Sequence, residues 1–255
     1  MTFYPDFPTV DFLIVTALEK EATPLRKVFQ SKSIPKEWYD SIRYDEAQIK
    51  TSFEWSYRVR LVCVGDQGAN YTAAVLASTL RTLRPRYVIM AGIAAIVPGE
   101  GRRLKDVLIS THIVDLSDQK IWPSHTEVGK RVFPCDRELV KEADRFCRES
   151  KKWSALARPG AIVSQKDLIK SAEQREMLVD FVSTTEPGLR VVGLEREGAG
   201  VGVASEITSS DLRPGILMVK SAVDFANYHK DDSVQRTAAQ RSARFLLEFL
   251  HSGPV

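Results

Sequence analysis

Cysteine is scarce in this 255-residue chain, and its three copies, Cys63, Cys135 and Cys147, are odd in number and scattered. That pattern suits reduced thiols rather than a disulfide framework. Histidine is nearly as rare, and His112, His125, His229 and His251 show no HxxxH spacing, nor do the cysteines form a CxxC pair. A metal site is therefore not expected. No apolar run approaches the ~18 residues a membrane helix needs. The first ten residues lack the basic and apolar regions of a secretion signal, so a cytoplasmic location is the default. Charge of one sign is also missing: 36 basic and 33 acidic residues leave +3. That is too little for the concentrated basic face of a nucleic-acid binder, but it is compatible with a small anionic ligand.

What is present is the composition of a globular protein. With 44% hydrophobic and 27% charged residues the chain can bury a sizeable core. No Ser/Gly/Pro-rich linker divides it, so residues 1–255 are expected to form a single domain. Short apolar, β-branched runs (Phe12–Ala17, Tyr57–Val64, Tyr87–Ala91, Val107–Val114, Ala161–Val163, Arg190–Leu194, Ile216–Val219) alternate with segments of helical period. The helical segments are Leu18–Phe29, Tyr71–Leu83, Asp136–Glu149, Ala172–Phe181, Glu197–Ile207 and Ser233–His251. Such alternation predicts an α/β fold, a mostly parallel twisted central sheet flanked by helices on both faces. Gln30 to Trp55 is the least regular stretch and reads as a long excursion between strands.

In an open α/β sheet, ligands meet the chain at the carboxyl ends of strands. Three carboxylates fall there: Glu21 after FLIVTALEK, Glu197 after VVGLER, and Asp224 after MVKSAV. Taken singly, each would serve equally well as a helix cap or first-turn group. The glycines of Gly198-Ala199-Gly200-Val201-Gly202 do not make a dinucleotide fingerprint, because GxGxxG would need a third glycine at Val203. They read instead as small residues that let a helix pack closely. No GxxxxGK[ST] phosphate loop occurs.

Six segments in order, TALEKEA (Thr16–Ala22), VGDQGANYTAA (Val64–Ala74), MAGIAAIVPGEGRRLKDVLIS (Met90–Ser110), IVSQKDLI (Ile162–Ile169), GLEREGAGVGVASE (Gly193–Glu206) and VKSAVDFANYHKDD (Val219–Asp232), together resemble the nucleoside phosphorylase and nucleosidase superfamily. The resemblance implies a phosphorylase-like three-layer α/β/α fold and points to the nucleosidase branch. Phosphorylases tend to carry Gly-Asp-Pro-x-Arg after the first strand, whereas Thr16–Ala22 has no arginine. Gly92-Ile93-Ala94 also stands where a phosphate-contacting hydroxyl is usual. By resemblance, Glu21 positions the attacking water, Glu197 accepts hydrogen bonds from the ribose hydroxyls, and Asp224 protonates the purine. Leu168 and Ile169 hold the base. Gly92, Ile93, Arg196, Lys166, His229 and Lys230 complete the expected substrate site. The chain departs from the nucleosidase pattern at Arg196, where methionine is usual, and at Val223, where serine is usual.

These residue types suit the chemistry. Breaking a ribosidic C–N bond builds positive charge on the sugar and negative charge on the base, so an acid at the base and a base at the water act on opposite ends of one barrier. The expected activity is hydrolysis of a purine nucleoside or nucleotide, adenine preferred, with no metal or organic cofactor and with homo-oligomers as in the superfamily. Arg102, Arg103, Lys166, His229, Lys230 and Arg236 in or near the matched segments suit phosphate oxygens, which brings AMP and ATP into view. The superfamily includes ATP-cleaving nucleosidases of bacterial antiviral defence. A phosphate-dependent phosphorylase and a non-catalytic nucleotide sensor remain open at this point, and an NAD-dependent oxidoreductase built on Gly198–Gly202 would predict tight NAD binding.

Overall fold

The computed structural model describes residues 10–33, 42–121, 124, 126–227 and 233–255. The chain begins with β1 (Val10–Thr16) and α1 (Glu19–Phe29), then β2 (Lys32–Ser33), β3 (Tyr44–Lys50), β4 (Ser56–Cys63) and α2 (Ala69–Leu83). The middle holds β5 (Pro85–Ile96), β6 (Val107–Asp115), β7 (Gln119–Ile121), β8 (Thr126–Val128), β9 (Arg131–Pro134) and α3 (Arg137–Glu149). It closes with β10 (Ala157–Ser164), α4 (Ala172–Thr185), β11 (Val191–Glu195), α5 (Gly198–Glu206), β12 (Gly215–Asp224) and α6 (Ser233–His251).

The main sheet runs β11-β10-β6-β12-β5-β1-β4-β3-β2, and β9 pairs with β6. Its central pairings, β12–β5, β5–β1, β1–β4 and β10 with both β6 and β11, are parallel. Phe12, Leu13, Ile14, Val88, Ile89 and Met90 are buried, as strands covered on both faces by helices require. α1 and α6 pack together, with α6 over β5 and β12. α2 and α5 pack together, with α5 over β6, β10 and β12.

The sequence reading does not include the short strands β2, β7, β8 and β9, and two larger features also depart from it. The sheet is not simply open: β11 also pairs antiparallel with the end of β5, Gly193 opposite Ile96 and Leu194 opposite Ala95. Strands β5, β12, β6, β10 and β11 thus form a ring. Register shifts at Gly160/Ala161, Ala161/Ile162 and Ala222/Asp224 supply the bends. Gly193 is needed at the closure, since a Cβ there would lie 2.9 Å from the Ala95 carbonyl oxygen and 2.6 Å from Leu108. The second departure is β3, which lies inside the supposed excursion from Gln30 to Trp55 and pairs antiparallel with β4 along its whole length. It lies between β4 and the two-residue edge strand β2, with Tyr44, Ala47 and Ile49 buried, and Asp45 is bridged to Arg26 at 2.6 Å.

The helix caps follow the sequence more closely. Asp136 accepts from the Leu139 N–H at 2.9 Å and starts α3, and Ser171 accepts from the Gln174 N–H at 3.3 Å and starts α4. The glycines of α5 meet α2 as well as the sheet: a Cβ on Gly200 would sit 2.2 Å from the Ala69 carbonyl oxygen, while one on Gly198 would strike Met218 of β12.

Candidate active site

β1 ends at Thr16, and the chain turns through Ala17 and Leu18 into α1. Glu21, one turn into that helix, is buried, and its carboxylate folds back. Oε2 accepts from the Ala17 and Leu18 N–H groups at 3.1 and 3.0 Å, and Oε1 accepts from the Ile93 N–H of β5 at 2.9 Å. The helix-cap role that the sequence allowed is therefore taken by this side chain. Gly92 makes room for it. With φ at +146°, a Cβ at position 92 would stand 2.2 Å from Glu21 Oε1. Ser242 of α6 accepts from the Gly92 N–H at 3.4 Å and donates to the Val219 carbonyl at 3.0 Å, tying β5 to β12 beneath the site.

β11 ends in Glu195-Arg196-Glu197, whose three side chains part company. Glu195 is buried and accepts from the Glu197 and Gly198 N–H groups at 2.9 Å, satisfying the free amides that start α5. Arg196 donates to the Lys166 carbonyl at 3.1 Å and to Gln67 Oε1 at 3.0 Å. Glu197 accepts from the Gly68 N–H at 3.2 Å, in the turn that leads into α2. Burial pushes the Glu197 carboxyl up to about 7, and neighbouring Glu195 and Glu21 reinforce the shift against the opposing pull of Lys220.

Lys220, in the middle of β12, is fully buried, with Nζ 3.6 Å from Glu195 Oε2 and 3.9 Å from Glu197 Oε2. Burial pulls its ammonium down, but Glu195, Glu21 and Glu197 outweigh that and raise it overall. At those distances no acceptor lies within hydrogen-bond reach among the described residues. Lys220 is the cation at the centre of three buried carboxylates. Sequence reasoning passed over it, although a lysine flanked by Met218-Val219 and Ser221-Ala222 in an apolar strand is itself a signal that partners must exist.

Asp224 ends β12 beyond the register shift. Where the nucleosidase pattern has a preceding serine, Val223 is buried, and Asp224 Oδ1 instead accepts from the Ala226 N–H at 2.9 Å across a turn in which Ala226 has φ of +49°. Arg175 of α4 donates to the Phe225 carbonyl at 2.5 Å and holds that turn from the other side.

One pocket gathers these groups. Glu21, Glu197 and Asp224 line it together with Arg196, Ile93, Leu168 and Ile169. Leu168 stands at the mouth, 49% exposed. Lys20, Gln67, Gln165, Glu195 and Gln235 also line the pocket and were not singled out from the sequence. Gly92 lies beneath Glu21 rather than in the wall. Lys166 is exposed and contributes its carbonyl to Arg196 rather than its ammonium to the pocket. His229 and Lys230 lie outside the described residues. Among the more distant basic groups, Arg102 donates to the carbonyls of Val97 and Val191 at 2.8 and 3.4 Å, away from the pocket, and Arg236 lines a neighbouring groove.

The same architecture occurs in solved structures. The 5'-methylthioadenosine/S-adenosylhomocysteine nucleosidase of Neisseria meningitidis, in complex with methylthio-immucillin-A, superposes with a TM-score of 0.74 at 22% identity, covering 95% of this chain and 99% of that one. The chain has the phosphorylase-like fold of the nucleosidases. The S-adenosylhomocysteine nucleosidase of Streptococcus pyogenes, in complex with 5-methylthiotubericidin, matches this fold at a TM-score of 0.76 and 19% identity over 98% of this chain and 99% of that one. Futalosine hydrolase of Helicobacter pylori does so at 0.71 and 18%, over 95% and 97%. No family model and no curated protein matches the sequence. Among the described residues no helix is long and apolar enough to cross a membrane.

Proposed function

We propose that this protein is an N-ribohydrolase of purine, preferentially adenine, nucleosides or nucleotides. The observation that carries the reading is the convergence of Glu21, Glu197 and Asp224 from the ends of β1, β11 and β12 onto one pocket. In the proposed reaction, water attacks the anomeric carbon while the C–N bond breaks and its electron pair passes to the base. Asp224 delivers a proton to N7 of the purine. Glu21, fixed by three backbone N–H donors, orients the water and takes its proton. Glu197 accepts from the ribose hydroxyls, for which a carboxylate is suited because it is acceptor-only when ionised. Lys220 does not line the pocket. Its role is to hold Glu195 and Glu197 in place as a buried counter-charge.

Ile169, Val223, Ala94 and Ala226 give the base an apolar berth, with Leu168 over its edge. Substrates phosphorylated on the 5' carbon, AMP or ATP, are the finer part of the proposal, supported by Lys20 and Arg196 in the pocket wall. Residues 1–255 act as one catalytic unit, assembled as a homo-oligomer.

The test is chromatographic detection of free base from a panel of nucleosides and nucleotides, with and without inorganic phosphate. Base release without phosphate is expected, and Asp224→Asn should lower it by ~10²- to 10⁴-fold with the fold retained. Release that requires phosphate would make the protein a phosphorylase, and binding without release would make it a sensor.

A further inference from the structure

The pocket does not end at Lys20 and Gln235. The same two residues line a second cleft of about 900 Å³ between α1, α6 and the turn carrying Trp153. Among the described residues its walls hold six cationic side chains, Lys20, Lys27, Lys152, Arg236, Arg241 and Arg244, and no carboxylate. Lys152 and Arg244 are compensated by Glu248, at 2.8 and 2.7 Å. Lys20 donates to Gln235 Oε1 at 2.6 Å, and Arg241 donates to the Lys105 carbonyl at 3.3 Å, so neither is neutralised by these contacts. Lys27 and Arg236 are exposed and, among the described residues, pair with no carboxylate. In a chain of net charge +3, this is a local concentration of positive charge whose self-repulsion is relieved by an anion.

The arrangement is also directional. Lys20, Thr23 and Lys27 stand three and four residues apart on one face of α1, and Arg236, Gln240 and Arg244 stand four apart on α6. At 1.5 Å per helical residue, Lys20 to Lys27 spans ~10 Å leading away from the pocket. Donors in a row, cationic and hydroxyl, suit the successive oxygens of a phosphate chain.

Building on the hydrolase reading, we propose that this cleft is the subsite for a polyphosphate chain on the 5' carbon of the substrate, so that nucleoside di- and triphosphates are preferred to nucleosides. Lys20 and Gln235 sit at the junction, and Lys27 and Arg236 meet the distal phosphates.

The experiment compares base release from adenosine, AMP, ADP and ATP by the wild type and by the Lys27→Gln/Arg236→Gln variant. Expected is a kcat/KM at least tenfold higher for ATP than for adenosine at low salt. The double variant should lower the ATP value about tenfold and leave adenosine unchanged. Raising ionic strength toward 1 M, where screening acts within ~3 Å, should shrink the ATP preference in the wild type. Equal kcat/KM for ATP and adenosine, or an equal effect of the variant on both, would overturn the proposal while leaving the hydrolase reading intact. If no substrate releases base, the hydrolase reading fails instead, and calorimetric titration with ATP and adenosine decides the subsite. ATP binding at least tenfold tighter than adenosine, and weakened by the variant, sustains it; ATP binding no tighter than adenosine overturns it.

Discussion

Replacing Lys220 by methionine removes, among the described residues, the cation that faces a cluster of buried acids. Its ammonium stands 3.6 Å from Glu195 and 3.9 Å from Glu197, and at an effective dielectric of ~20 each contact is worth ~4 kcal/mol of attraction. Much of that is offset by the cost of burying the charges, so the net consequence of deleting one partner is ~3–5 kcal/mol of lost stability, from carboxylates left without compensation. The loss should depend on pH. Glu197 already holds its proton up to about 7 because it is buried, and without Lys220 it would hold it higher still. A carboxyl whose folded value is raised above its ordinary one contributes stability that is fully present below about 4.5 and is lost as pH rises through the folded value. In the variant, protonation at acid pH neutralises the cluster. The expected loss is therefore near its full value at pH 8.5 and clearly smaller at pH 5.5. Urea unfolding followed by fluorescence of the four tryptophans measures both. Lys220→Arg, which keeps the charge, should lose only the ~1–3 kcal/mol that overpacking costs. A methionine variant within ~0.5 kcal/mol of wild type at pH 8.5, below the usual cost of removing a buried partner, or one hurt more at pH 5.5, would refute the electrostatic account.

Gly92→Ala places a methyl group against the Glu21 carboxylate in a backbone region that disfavours side chains. It should cost ~1–3 kcal/mol in strain and, by displacing Glu21, ~10²-fold in kcat; wild-type kcat in a stably folded variant would contradict the placement of Glu21. With Glu197 titrating at about 7, KM for ribosides should fall as pH rises through that value, because the ionised form accepts from both hydroxyls; a 2',3'-dideoxy substrate should show no such dependence. Glu21→Gln should depress kcat by ~10²- to 10⁴-fold at little change in KM, which steady-state kinetics would resolve.

Among the described residues, apolar period, small-residue content and turn boundaries located the helices and the central parallel strands, because those elements are apolar on one or both sides and bounded by clear turns. α6 ends where the sequence reading placed it, at His251. β3 escaped because Tyr44-Asp45-Glu46-Ala47-Gln48-Ile49-Lys50 buries only Tyr44, Ala47 and Ile49 and intersperses charges among them, so no apolar run marks it. The β11–β5 closure was equally hidden: nothing local in Gly193-Leu194 distinguishes a strand with one neighbour from a strand with two.

The chain by itself determined which carboxylates fall at strand ends, since a carboxylate following an apolar run is visible in one dimension. Only the tertiary structure decided how they are held. Glu21 depends on an amide of β5 some seventy residues away and on the missing side chain of Gly92, and Asp224 depends on its own turn in place of a neighbouring hydroxyl. Glu197 takes its raised proton affinity from burial beside Glu195 and Glu21, against the pull of a lysine on another strand. Burial and through-space charge are properties of the packed molecule, and sequence spacing does not encode the distances on which they act.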